Sequence, residues 1–195
     1  MVYLITGGSG SGKSAWAEEL AERLCREMEK ETDVSGSDRK STCIYLATMR
    51  VWDEEGKRRV ERHRNMRRDR GFQTVERETD LDGLVLPGSC RGERAHVILL
   101  ECMSNLVVNE FYEQEKGAKE RILTGINHLQ NQCRNLIIVT NEIFSDGITY
   151  DPESERYLAL LGAVNQELAA RADVIAEIVY GIPVFWCGEC RLERG

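Results

Sequence analysis

Proline is scarce in this 195-residue chain, with three in all. Collagen-like and proline-rich disordered architectures are excluded on that count. Long apolar runs are missing too. None approaches the ~18 residues that cross a bilayer, so no integral membrane segment is expected. The amino terminus, MVYLITGGSGSGKS, lacks a basic region and a cleavage site, which argues against secretion. An excess of positive charge is absent: 26 Lys and Arg stand against 33 Asp and Glu, a net charge of −7. A general nucleic-acid binder is usually basic, so no nucleic-acid partner is expected. Histidine is rare, with His63, His96 and His128 the full set.

Cysteine is not rare. Cys25, Cys43, Cys90, Cys102, Cys133, Cys187 and Cys190 make an odd count. Without an export signal, reduced thiols and a cytoplasmic location are expected. Cys25, Cys43 and Cys133 lie in apolar stretches and read as small core residues. Cys187 and Cys190 form a C-x-x-C, but zinc would need two further ligands. Residues 187–195 read instead as an exposed tail.

The composition, 42% apolar and 30% charged, is that of a globular protein. The length suits one domain with its own core, assigned to residues 1–186. Charge is uneven along it. Arg50 to Arg70 carries nine basic side chains against five acidic ones, a patch suited to a small anionic ligand.

Short apolar runs alternate with helical patterns. VYLIT (2–6), CIYLAT (43–48), FQTVE (72–76), HVILLE (96–101), NLIIVT (135–140), VIAEIVY (174–180) and PVFW (183–186) read as strands. Helices are expected over 13–28, from Asp53 to about 69, and near 102–113, 117–132 and 154–172. Residues 29–42 are polar with Ser, Gly and Asp and read as a surface loop. The alternation predicts an α/β fold, a mostly parallel sheet with helices on both faces.

Gly7, Gly8, Ser9, Gly10, Ser11, Gly12, Lys13 and Ser14 fit G-x-x-x-x-G-K followed by Ser or Thr, between a strand and a helix. Glycines let successive backbone N–H groups turn toward phosphate oxygens, and the helix presents its positive end to the same anion. Lys13 would reach the β- and γ-phosphates, and the Ser14 hydroxyl would ligate Mg2+. The motif specifies a nucleoside triphosphate but not a reaction. The short chain favours a small-molecule kinase or a GTPase, and the guanine-reading N-K-x-D of GTPases is absent.

Glu101 ends a strand where P-loop proteins place an acidic Mg2+ partner. Arg59, His63 and Arg67 share one helical face, flanked by Arg62 and Arg64. A neutral imidazole is a competent nucleophile near pH 7, and nearby cations would both hold it neutral and bind phosphates. By itself, a lone histidine on a charged helix is ordinarily a solvated surface group.

The ordered set of segments resembles the bifunctional adenosylcobinamide kinase / adenosylcobinamide-phosphate guanylyltransferase family. The resemblance starts in the glycine loop and runs through Tyr45-Leu46-Ala47-Thr48, then Asp53, Glu55 and Arg59. It continues with His63 and Arg67, Thr74-Val75-Glu76, Leu99-Leu100-Glu101-Cys102 and Asn109. Val139-Thr140-Asn141-Glu142 with Gly147-Ile148, Val164-Asn165-Gln166 with Leu168-Ala169, and Gly181-Ile182-Pro183 complete it. The family implies a P-loop NTPase-like fold and two reactions. A nucleoside triphosphate, ATP or GTP, phosphorylates adenosylcobinamide. GTP then guanylylates His63, and adenosylcobinamide phosphate takes the GMP to give adenosylcobinamide-GDP. By position, Ala47, Thr48, Met49, Arg64, Asn65, Met66, Arg67, Glu76 and Glu101 would contact the guanine nucleotide. A homotrimer is also implied. Gly10, Arg68 and Ala163 stand where the family commonly has Arg, Pro and Arg, and IFSDGI is one residue longer than its counterpart. The alternatives are a P-loop kinase without guanylyl transfer, and a nucleotide-binding regulator with no turnover.

Overall fold

A computed structural model describes residues 1–34, 42–50, 71–86, 95–145 and 147–188. In chain order the elements are β1 (Val2–Thr6), α1 (Lys13–Val34), β2 (Cys43–Ala47), β3 (Phe72–Glu76), β4 (Ala95–Glu101), α2 (Met103–Gln114), α3 (Ala118–Gln132), β5 (Cys133–Val139), α4 (Pro152–Arg171), β6 (Val174–Val179) and β7 (Ile182–Cys187). The strands form one seven-stranded sheet in the order β3-β2-β4-β5-β1-β6-β7. The first six are parallel, and β7 closes one edge antiparallel to β6. This is the expected α/β architecture.

The central strands carry unbroken apolar runs, Val2 to Ile5, Val97 to Leu100 and Leu136 to Val139, because both sheet faces are covered there. Side-chain alternation splits the core in two. On one face Leu4, Leu46, Ile98, Leu100, Leu136 and Ile138 pack beneath α2, α3 and α4. On the other, Tyr3, Ile5, Tyr45, Leu99, Ile137 and Val139 pack against Trp16, Ala17, Leu20 and Ala21 of α1. Cys25, Cys43 and Cys133 are buried, as their apolar settings predicted.

Several boundaries differ from the sequence reading, β5 among them, which starts at Cys133 rather than 135. The polar stretch 29–42 does not begin as a loop, because α1 continues to Val34. Glu, Met and Lys are strong helix formers, and no Gly or Pro interrupts them before Gly36. The fourth helix starts at Pro152 rather than 154. Asp151 caps it, its Oδ1 accepting from Glu153 N at 2.9 Å and Ser154 N at 3.1 Å, with Pro152 in the first turn. Cys187 belongs to β7 rather than to a tail. The helix expected from Asp53 to 69 lies outside the described residues, as does the tail beyond 188.

Candidate active site

The parallel sheet brings separate segments to one edge. Register sets Ala47 beside both Glu76 and Glu101, Glu101 beside Val139, and Ile5 beside Val139. The carboxyl ends of β1 to β5 thus line up, the edge where open α/β sheets bind ligands.

The glycine loop leaves β1 here. Gly7, Gly10 and Gly12 have φ of 151°, 72° and 89°. At Gly7 a Cβ would stand 2.6 Å from the Ile178 carbonyl oxygen, so no other residue fits. The turn closes through Ser11 N to Gly8 O at 3.2 Å, and α1 opens with Trp16 N to Gly12 O at 3.0 Å. Lys13 is buried, and its Nζ donates to Gly8 O at 3.0 Å, across the mouth of the loop. Burial lowers the Lys13 pKa, while Cys102 and Glu101 pull the other way. The ammonium is thus held against a neutral carbonyl, a weaker partner than phosphate would be.

Glu101 ends β4, half-buried, and its Oε2 accepts from the Tyr45 hydroxyl at 3.0 Å. Thr48 is fully buried. Its Oγ1 donates to Cys102 O at 2.7 Å and its N to Glu101 O at 3.1 Å. Asn109, buried on α2, donates from Nδ2 to Thr48 O at 2.8 Å and to Glu78 O at 3.0 Å. It thereby ties together the chain leaving β2 and the chain leaving β3. Ala47 O accepts from Arg77 N at 2.9 Å. Met49 is half-buried and Glu76 exposed.

Beyond β5, Glu142 N donates to Gly7 O at 3.1 Å, and Asn141 Nδ2 to Ser104 Oγ at 2.6 Å. Thr140 Oγ1 donates to Asn165 Oδ1 at 2.9 Å, linking β5 to α4. The β6–β7 turn closes on the loop from the other side, with Gly181 N donating to Ser11 O at 2.8 Å.

Of the predicted site residues, Gly7 to Ser14, Ala47, Thr48, Met49, Glu76 and Glu101 come to this edge. His63, Arg64, Asn65, Met66 and Arg67 lie outside the described residues. The part of Tyr45, Asn109 and Ser104 in holding the edge was missed, and so was that of the 180–181 turn. Tyr45 inside an otherwise apolar strand was the available signal, since a buried tyrosine hydroxyl needs a partner. No group of three or more metal-ligating side chains occurs among the described residues, and none of their helices is long and apolar enough to cross a membrane.

A glycine loop joining the first strand to its helix, with the acid Glu101 at the same edge on β4, two strands away, defines an α/β nucleotide-binding protein of the P-loop class. The flagellar accessory protein FlaH of Methanocaldococcus jannaschii shares the fold, with a TM-score of 0.50 at 12% identity over 96% of this chain and 78% of that one. Residues 3–185 match the family described as CobU, cobinamide kinase / cobinamide phosphate guanyltransferase. The bifunctional adenosylcobalamin biosynthesis protein CobU of Escherichia coli K12 is 31% identical over 201 residues, covering 94% of this chain and 98% of its own. Its counterpart CobP of Pseudomonas aeruginosa is 29% identical over 192 residues, covering 95% and 97%. The chain belongs to the cobinamide kinase / cobinamide phosphate guanyltransferase family. It is a bifunctional transferase of cobalamin biosynthesis.

Proposed function

We propose that one nucleotide site, built on Gly7 to Ser14, serves both reactions of this chain. In the first, the aminopropanol hydroxyl of adenosylcobinamide attacks the γ-phosphorus of ATP or GTP and the nucleoside diphosphate leaves. In the second, His63 attacks the α-phosphorus of GTP and pyrophosphate leaves. A phosphate oxygen of adenosylcobinamide phosphate then displaces the histidine, giving adenosylcobinamide-GDP and the free imidazole. The observation that carries this reading is the glycine loop with Lys13 seated across it. On phosphate binding, the lysine would exchange the Gly8 carbonyl for phosphate oxygens. Ala47, Thr48, Met49, Arg64, Asn65, Met66, Arg67, Glu76 and Glu101 are the proposed guanine-nucleotide contacts.

Mg2+ is the proposed metal, on the donors of Ser14 and Glu101. A hydroxyl and a carboxylate are hard oxygen ligands, and two protein donors beside substrate phosphates suit this ion. Bound there, it would neutralise charge developing on the phosphates. The reading includes a cytoplasmic enzyme and a homo-oligomer, a trimer by family resemblance. The outer face of β7 supports association: Ile182, Val184 and Trp186 are exposed together on an edge strand.

The test is guanylylation. Protein incubated with Mg2+ and α-phosphate-labelled GTP should retain acid-labile label, and His63→Ala should not. Unlabelled wild-type protein that binds GTP and still phosphorylates adenosylcobinamide would reduce the reading to the kinase alone.

A further inference from the structure

Tyr45 sits in the middle of a buried strand, between Ile44 and Leu46. Its ring packs edge-on to Phe72, centroids 6.3 Å apart at 78°, and is almost wholly buried. Packing of this kind fixes the hydroxyl's direction. Tyr45 stands opposite Leu99 in the β2–β4 register, so Glu101 is its diagonal neighbour on the same sheet face. That diagonal lies within reach of an aromatic side chain. The hydroxyl donates to Glu101 Oε2 at 3.0 Å.

The chemistry of this donor is specific. A phenol is neutral near pH 7, its ordinary pKa being about 10. It orients a carboxylate without cancelling its charge, as Lys or Arg in the same place would. One oxygen is held and the other is left to a cation or its water, with the full negative charge retained.

We propose that Tyr45 is a positioning residue for the metal that accompanies the nucleotide, acting by orienting the Glu101 carboxylate. The inference rests on the reading of Glu101 as the metal-side acid. Outer partners of this kind commonly change metal affinity by about tenfold or more. The isosteric Tyr45→Phe keeps the ring and its contact with Phe72 and removes the hydroxyl that donates to Glu101.

The experiment titrates Mn2+ by electron paramagnetic resonance against purified protein holding a non-hydrolysable GTP analogue. Wild type, Tyr45→Phe, Glu101→Gln and the double variant are compared. Tyr45→Phe should weaken Mn2+ binding about tenfold. The half-saturating Mg2+ of the kinase reaction should rise by a similar factor, with kcat at saturating Mg2+ nearly unchanged. The second substitution should add little to Glu101→Gln, because both act through one carboxylate. Glu101→Gln weakening the metal while Tyr45→Phe binds as wild type would overturn the role of Tyr45 alone. So would Tyr45→Phe lowering kcat equally at every Mg2+ concentration with metal binding intact. If Glu101→Gln leaves Mn2+ binding unchanged, the metal-side reading of Glu101 falls, and this inference with it.

Discussion

Gly181 and Ser11 are joined by a backbone hydrogen bond of 2.8 Å, so the β6–β7 turn braces the glycine loop. Tyr180 and Gly181 both have positive φ, 52° and 79°, as a two-residue hairpin turn that matches the strand twist requires. The turn and the loop lie so close that a Cβ on Gly12 would meet the Gly181 Cα at 3.3 Å. A Cβ on Gly181 itself meets nothing within 4 Å. Gly181→Ala therefore costs only the left-handed backbone, about 1–2 kcal/mol, and should lower Tm by a few degrees with a modest loss of nucleotide affinity. Gly7→Ala should abolish nucleotide binding, since its Cβ would collide with the Ile178 carbonyl. Thermal unfolding and nucleotide titration of the two variants check the contrast. Equal effects would break it.

Lys13→Ala removes the cation that sits across the loop mouth. Loss of one such charge stabiliser is expected to slow phosphoryl transfer about 10²–10³-fold. Since the side chain is buried and bonded to Gly8 O, some stability should be lost as well. Single-turnover kinase assays beside denaturant unfolding separate the two effects. A variant with wild-type turnover would remove Lys13 from the reaction.

Asn109→Ala should destabilise the fold by about 1–3 kcal/mol, because two carbonyls, of Thr48 and Glu78, lose their donor. Asn109→Asp should do no better, since a carboxylate has no protons to give and would face both oxygens. Urea unfolding of the two variants is the check, and an Asp variant as stable as wild type would contradict the assignment.

His96 makes stability depend on pH at the opposite end of the sheet. Its Nδ1 accepts from Thr42 N at 2.8 Å, which requires the neutral ring. Burial, and then the charge of Arg134, lowers its pKa below the usual value. The unfolded chain takes up the proton near its ordinary pKa of about 6.5, while the folded chain resists it. Below that pH the unfolded state binds more protons, so stability falls as pH drops. The urea midpoint of wild type should decline from pH 7.5 to 5.5 more steeply than that of His96→Asn. Parallel profiles would sink the idea.

Much of this architecture was legible residue by residue. β1 falls on its apolar run, because a strand buried on both faces needs an unbroken one. The carboxyl end of α1 reads as a loop in the sequence, since EKETDV offers no apolar period to follow. α4 starts two residues before its apolar period, because the Asp151 cap and Pro152 set its first turn.

The nucleotide-binding loop, the alternation of strand and helix, and the family can all be read along the chain. Each is written in contiguous residues whose local conformation depends on glycine, charge and apolar spacing. Tertiary structure alone decided how that edge is held. Tyr45 meets Glu101 across 56 residues of chain and Asn109 reaches Thr48 across 61, while Gly181 comes to Ser11 from the other end of the chain. Such pairs follow from strand order and register in the assembled sheet. No local periodicity encodes them, because a hydrogen bond depends on where two atoms stand in space and not on how far apart they lie along the chain.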